Sequence, residues 1–269
     1  MPQRLFPGYY RCFFMVLWLG AVGTIALSWP AGAADETAMP GIAAEESIDD
    51  VEAFDDFESF EEFEEDATQT VFDPLSGYNR VMTRVNDRLY YWVLKPVARG
   101  YRAVVAEPAR KGISNFFRNL GFPLRAVNNL LQLKFKRAGT ETARFVVNTT
   151  VGVAGLWDAA GDWLEMPIYP EDFGQTLGHY GLGGGFHIVL PLLGPSNARD
   201  VCGKVADWFL DPVNYIEDPQ VETAVTVLDV VNETSLRIGQ YEAITRDSLD
   251  MYILLRDGYQ NRRNKAIEE

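Results

Sequence analysis

The side chains that could do chemistry are few and close together. The 269-residue chain has two histidines, His179 and His187, and both lie between Phe173 and Ala198 (FGQTLGHYGLGGGFHIVLPLLGPSNA), 26 residues without one Asp, Glu, Lys or Arg. Histidine serves most readily as metal ligand or general base near neutral pH. A metal would need further His, Cys or carboxylate ligands beside them. Only Glu171 and Asp172 are near, so no metal and no other cofactor is expected. Hydrolysis would need a nucleophile, and Ser196, His179 and Asp172 are the one triad that can be assembled. Gly194-Pro195-Ser196, however, lacks the G-x-S-x-G elbow that exposes a serine for attack. No G-K-S/T follows Gly183-Gly184-Gly185, so these glycines cradle no phosphate in the P-loop manner. No stretch interleaves basic and aromatic residues as nucleic acid requires. These residue types point away from an enzyme.

The same uncharged stretch is long enough to cross a bilayer, for which about 20 apolar residues suffice as a helix. Its grain is wrong for that: seven glycines and two prolines, Pro191 and Pro195, would break the helix. Non-helical backbone survives at membrane depth only where protein or a water-lined cavity covers it. The stretch therefore reads as a glycine-rich apolar hairpin tucked against protein, with Ile188-Val189-Leu190 and Leu192-Leu193 as its apolar limb. Periodicity alone equally allows a buried loop and strand in an ordinary soluble core.

The elements that must hold this stretch begin after a long preamble. Met1 to Arg11 is cationic, Phe13 to Ser28 is an apolar run of 16 residues, and Ala31-Gly32-Ala33 offers a cleavage site. That order predicts a secretory signal peptide over 1–33, with an uncleaved membrane anchor as the alternative, for which the run is a little short. The net charge of -14 belongs to the next segment: residues 35–66 carry 15 acidic side chains and no basic one, whereas residues 67–269 hold 23 acidic and 22 basic. Residues 34–71 read as an acidic disordered linker. Its Phe54, Phe57, Phe60 and Phe63 are either a docking motif for a basic, apolar groove or incidental rings on a solvated spacer. The two cysteines, Cys12 and Cys202, build no disulfide framework, since Cys12 lies in the leader.

From residue 72 the pattern is mostly α. Asp73-Pro74 supplies an N-cap and a first helical proline. Val81, Met82, Val85, Leu89 and Trp92 then mark one face, with Arg80, Arg84 and Arg88 on another. A kink is expected at Lys95-Pro96. Tyr90, Tyr91 and Trp92 suit a membrane interface, as do Trp157 and Trp163; a surface helix on a soluble core would show the same stripe. Further helices are expected from Pro108 to Gly121, from Leu124 through Leu131, from a Thr140 cap into Phe145–Trp157, from Asn197 to Leu210, and from Pro219 onward. Strand signals are confined to 186–193.

The blocks DPLSGYNRVMTRVND (73–87), KPVARGYR (95–102), EPARKGISNFFRNL (107–120), ARFVVNTTVGVAGLWDAAG (143–161) and DFGQTLGHYGLGGGFHIVLPLLGPSNARD (172–200) resemble, in order, those of the MlaA (VacJ) family. The resemblance covers about residues 72–260. It implies a single helical ring or bundle domain over 72–262, membrane-associated, with a central amphipathic pore; the residues themselves, 263–269, read as a charged C-terminal tail. It implies a non-enzymatic phospholipid translocation channel at the periplasmic face of the outer membrane. Such a channel would remove mislocalised phospholipid and pass it to a periplasmic MlaC-like carrier, in many members while bound to a trimeric porin. A mobile hairpin at 151–193 would gate the pore, with Phe173 at its base and Met82 as packing neighbour. Gly181, Gly183, Gly184, Gly185, His179 and Tyr180 belong to that gate. Family members usually carry a lipobox cysteine, and none follows the apolar run here. Anchoring is therefore expected through the protein's own apolar rim or a partner. The rival readings are a membrane-bound adaptor that positions a carrier or porin, and a lipid hydrolase built on Ser196.

Overall fold

The computed structural model describes residues 71–246 and 248–269; the expected signal peptide and all but the last residue of the expected linker lie outside them. The chain runs through α1 (Ser76–Leu89), a π-helical segment (Tyr90–Leu94), α2 (Lys95–Val104), α3 (Glu107–Leu120), α4 (Phe122–Leu131), α5 (Phe135–Thr150) and α6 (Ala159–Asp162). It continues through α7 (Phe173–His179), β1 (His187–Leu190), β2 (Gly194–Asn197), α8 (Ala198–Trp208), a 3-10 turn (Pro212–Tyr215), α9 (Pro219–Leu236), α10 (Gln240–Arg246) and α11 (Met251–Glu268). Among the described residues the fold is one helical domain with a single antiparallel β-hairpin, His187 opposite Asn197 and Leu190 opposite Gly194.

Side chains start several of these helices. Asp172 and Gln175 form a reciprocal capping box on α7, each accepting the other's backbone N–H. Asn197, Asp218 and Asp250 accept first-turn amides of α8, α9 and α11.

Several expected boundaries move. Asp73 does not cap α1, which begins at Ser76 without a side-chain cap. Its carboxylate accepts instead from Asn79 at 2.8 Å and from the Tyr252 hydroxyl, so it ties the chain entry to α11. At Lys95-Pro96 the helical run continues. Proline lacks an N–H, and the ladder shifts to i+5 spacing over Tyr90–Leu94, the Lys95 amide reaching the Tyr90 carbonyl. Thr140 lies inside α5, its hydroxyl donating back to the Lys136 carbonyl. That helix stops at Thr150, because Val153, Ala154 and Gly155 take positive φ and fold the chain back. The uncharged 173–198 stretch is not one hairpin but a helix, a glycine loop and a hairpin. At the C-terminus α11 carries on past 262, where a tail was expected, because Arg263 is drawn into the fold by two carboxylates.

Packing pairs α7 with α8, α4 with α5, α9 with α2 and α3, α11 with α7 and β2, and α1 with β1. The α7–α8 approach is backbone on backbone: a Cβ on Gly203 would sit 2.5 Å from the Gly174 amide nitrogen.

The interior inverts the usual rule. Twenty polar or charged residues are buried among the described residues, against eight hydrophobic ones, five of them alanine. Large apolar side chains lie outside. On α1 and the π segment Tyr78, Val81, Val85, Tyr91 and Trp92 are exposed, while Asn79 and Thr83 are the buried residues. On α5 the inward residues are Ala138, Glu141, Arg144 and Asn148, and Phe135 and Val146 face out. Single exposed apolar residues are ordinary, but an apolar outside around a polar inside is not.

Candidate functional site: a polar interior

The polar interior is built from side chains at helical spacing. Glu141, Arg144 and Asn148 follow one another at i, i+3 and i+7, which places them on one face of α5. Glu141, fully buried, receives Arg125 at 2.7 Å on one oxygen and the Tyr169 amide at 2.7 Å on the other. Arg144 grips both oxygens of Asp158 at 2.7 Å and donates to the Met166 carbonyl. Asn148 donates to Asp158 at 2.8 Å and accepts the Ala160 amide at 2.8 Å. One helix face thus fixes the backbone from 158 to 169. Burial pushes the Asp158 carboxyl up. Hydrogen bonds from Asn148 and the Gly161 amide, with the charges of Arg144 and Arg118, more than offset it and hold the group below the ordinary carboxylate range.

A second cluster surrounds the start of the 173–198 stretch. Glu171 accepts from Gln132 at 2.7 Å and Lys134 at 2.9 Å, and Thr176 donates to Asn128 at 2.9 Å. Asp207 accepts the Phe173 amide at 3.0 Å and Asn128 at 3.2 Å; burial still pushes its carboxyl up to about 6. Arg263 makes a bidentate pair with Asp172, 2.6 Å to each oxygen, and reaches Asp200 at 2.7 Å. Burial would raise the Asp200 carboxyl, but Arg263 and Tyr259 hold it below its ordinary range.

Two asparagines fasten the hairpin to α1 by acting as stretches of backbone. Asn79 donates to the His187 carbonyl at 3.0 Å and accepts the Val189 amide at 2.8 Å. Asn86, two turns on, repeats this with the Leu190 carbonyl and the Leu192 amide, each at 2.9 Å. His187 is itself buried, and both ring nitrogens lack a hydrogen-bond partner. Burial therefore drives its pKa down, aided by Arg256 and opposed by Asp73 and Asp257.

The expected site residues fall into separate places. Phe173 opens α7 and Met82 lies on α1, both half-buried. His179 and Tyr180 are exposed with their rings edge to face, and the Tyr180 hydroxyl donates to the Leu131 carbonyl. Gly181, Gly183 and Gly185 are exposed, and the half-buried Gly184 sits against Asn197. Tyr90 and Tyr91 stack edge to face, as do Trp157 and Trp163, while Trp92 stands 76% exposed. The triad is not assembled. Ser196 is buried, His179 is exposed, Asp172 is taken by Arg263, and among the described residues no hydrogen bond joins the three. Sequence reading missed the asparagines. Their signal was present as Asn79 and Asn86 seven residues apart on an amphipathic helix, and as the Glu141, Arg144 and Asn148 spacing.

Comparison with known proteins gives a consistent result. A family model described as MlaA lipoprotein matches residues 71–266. The intermembrane phospholipid transport system lipoprotein MlaA of Escherichia coli is 36% identical over 192 residues, 70% of this chain and 75% of that one. The MlaA of Haemophilus influenzae is 30% identical over 70% of this chain and 76% of its own, and an uncharacterized Rickettsia bellii protein is 32% identical over 74% and 78%. A solved structure, described in work on the structural basis for maintenance of bacterial outer membrane lipid asymmetry, superposes with a TM-score of 0.64 at 34% identity. It covers 72% of this chain and 98% of its own. The match in sequence and the match in fold have one explanation: the chain belongs to the MlaA family.

Proposed function

We propose that this protein transports phospholipid at the outer membrane, seated in the periplasmic leaflet, and helps keep phospholipid out of the outer leaflet. The observation that carries this reading is the inverted burial: twenty buried polar or charged residues beneath an apolar exterior. Hydrocarbon tolerates such an exterior, and a polar interior offers hydrogen bonds to a headgroup that hydrocarbon cannot. No helix among the described residues is long and apolar enough to cross a membrane. This fits a domain that sits within one leaflet, held by interfacial aromatics such as Trp92 and Trp163. The relatives named for intermembrane phospholipid transport support the same reading.

In the finer form of the proposal the domain conducts lipid through a polar-lined path and passes it to a soluble periplasmic carrier of the MlaC type, with a trimeric porin as a further partner. Passage follows relative affinities, without covalent chemistry in this chain. The β-hairpin and its glycine loop, fastened to α1 by Asn79 and Asn86, serve as the gate, with Phe173 and Met82 at its base. The test is to isolate the protein from outer membranes in mild detergent and measure bound lipid by mass spectrometry. Co-isolated phospholipid that exchanges into a purified carrier is the expected result. Recovery in the soluble periplasm without lipid would refute the proposal.

A further inference from the structure

Helix α1 carries a row of arginines, Arg80, Arg84 and Arg88, at i, i+4 spacing. Like charges so placed disfavour a helix unless something answers them. Arg80 is answered within the fold: it donates to Asp250 at 2.6 Å, and its guanidinium lies 4.9 Å over the Tyr252 ring. Arg84 is not, and among the described residues it makes no hydrogen bond or ion pair. The two arginines and Thr83 form one wall of a cleft of about 330 Å³ whose other wall is Leu249, Asp250 and Tyr252.

Among the described residues the cleft is lined by two guanidinium groups and one carboxylate, an excess of one positive charge. Guanidinium forks match the oxygens of a phosphate, and Arg is the residue of choice for that geometry. Next to the arginine row Tyr78, Val81 and Val85 are exposed, and Leu249 stands fully exposed at the rim. Val81 and Arg84 are i, i+3 neighbours, so apolar surface adjoins the free cation. An anion attached to acyl chains fits both halves, whereas a free phosphate uses only one.

We infer that this cleft binds a phosphate ester, supplied by a phospholipid headgroup, with Arg84 as the uncompensated cation and Arg80 held ready by Asp250 and Tyr252. The inference rests on the phospholipid reading above and adds a named headgroup site to it. The full chain in detergent is titrated with short-chain phosphatidylglycerol, with glycerol phosphate and with a phosphate-free diacylglycerol. Arg84 is exposed and makes no contact that the fold needs, so R84A and R84E keep the structure. Phosphatidylglycerol should bind about tenfold more weakly to R84A, the loss of one charged hydrogen bond, and more weakly still to R84E. Diacylglycerol binding should not change. Glycerol phosphate binding as tightly as the lipid, with the same loss in R84A, would keep the anion site and overturn its lipid source. Unchanged phosphatidylglycerol affinity in both variants would overturn the inference while leaving lipid transport intact. A wild-type chain that binds no phospholipid at all would remove the transport reading itself.

Discussion

At the scale of single residues, stability turns on polar groups that have no water to fall back on. Asn79 is fully buried and holds three partners: Asp73, the His187 carbonyl and the Val189 amide. Asn79→Leu keeps much of the volume and leaves those backbone groups unpaired, which should cost about 2–4 kcal/mol in denaturant unfolding. The Val189 amide should then exchange with deuterium faster than in the wild type. Wild-type exchange there would show that the hairpin is held by other means. His187 gives a pH signature. Its pKa is 6.5 in the unfolded chain and lower in the fold, where burial disfavours the charged form. As pH falls below 6.5 the unfolded chain takes up a proton that the folded one does not, so stability falls with acidification until the folded pKa is reached. His187→Phe should lose that part of the acid sensitivity, read as a flatter melting temperature between pH 6.5 and 5. Asp200 and Asp158 act lower on the scale. Their pKa values lie below 3.8, so the stability they contribute is present above 3.8 and lost only as pH falls through their folded values.

At the scale of elements, glycine has two different uses here. Gly203 lies where α8 crosses α7, and any side chain meets the Gly174 backbone. Gly203→Val should separate the two helices and lower the melting temperature by several degrees, consistent with overpacking costs of about 1–3 kcal/mol. Gly183 faces open space at ordinary φ, so Gly183→Ala should leave stability near the wild-type value. If the loop works as a gate, that variant should slow lipid exchange instead. Much of the element layout was legible in sequence. Prolines mark the starts of α3, α4 and α9, an acidic cap joins the proline at α9, and the strand signal at 186–193 falls on β1. The ends were harder to read. The stop of α5 at Thr150 comes from positive φ at Val153 and Ala154, residue types that carry no such signal. Asp73 looked like a cap because its tertiary partners Asn79 and Tyr252 cannot be inferred locally.

At the scale of the whole molecule the apolar stripe on α1 was visible in sequence, but its direction was not. Periodicity says that Val81, Val85 and Trp92 share a side; it does not say whether protein or lipid covers that side. In the fold Asn79 and Thr83 are buried and Val81, Val85 and Trp92 are exposed. Trp92→Glu with Val93→Glu, both at exposed positions, should leave unfolding within about 0.5 kcal/mol of wild type while markedly weakening binding to phospholipid vesicles in a flotation assay. Full retention on vesicles would place the membrane contact elsewhere on the surface.

The most direct test of lipid transport at the outer membrane is the outer-leaflet phospholipid of intact cells, read with a membrane-impermeant reagent for phosphatidylethanolamine amines. Deleting the gene should raise labelling well above wild type, and restoring the full chain should return it. Equal labelling with and without the protein would contradict the account.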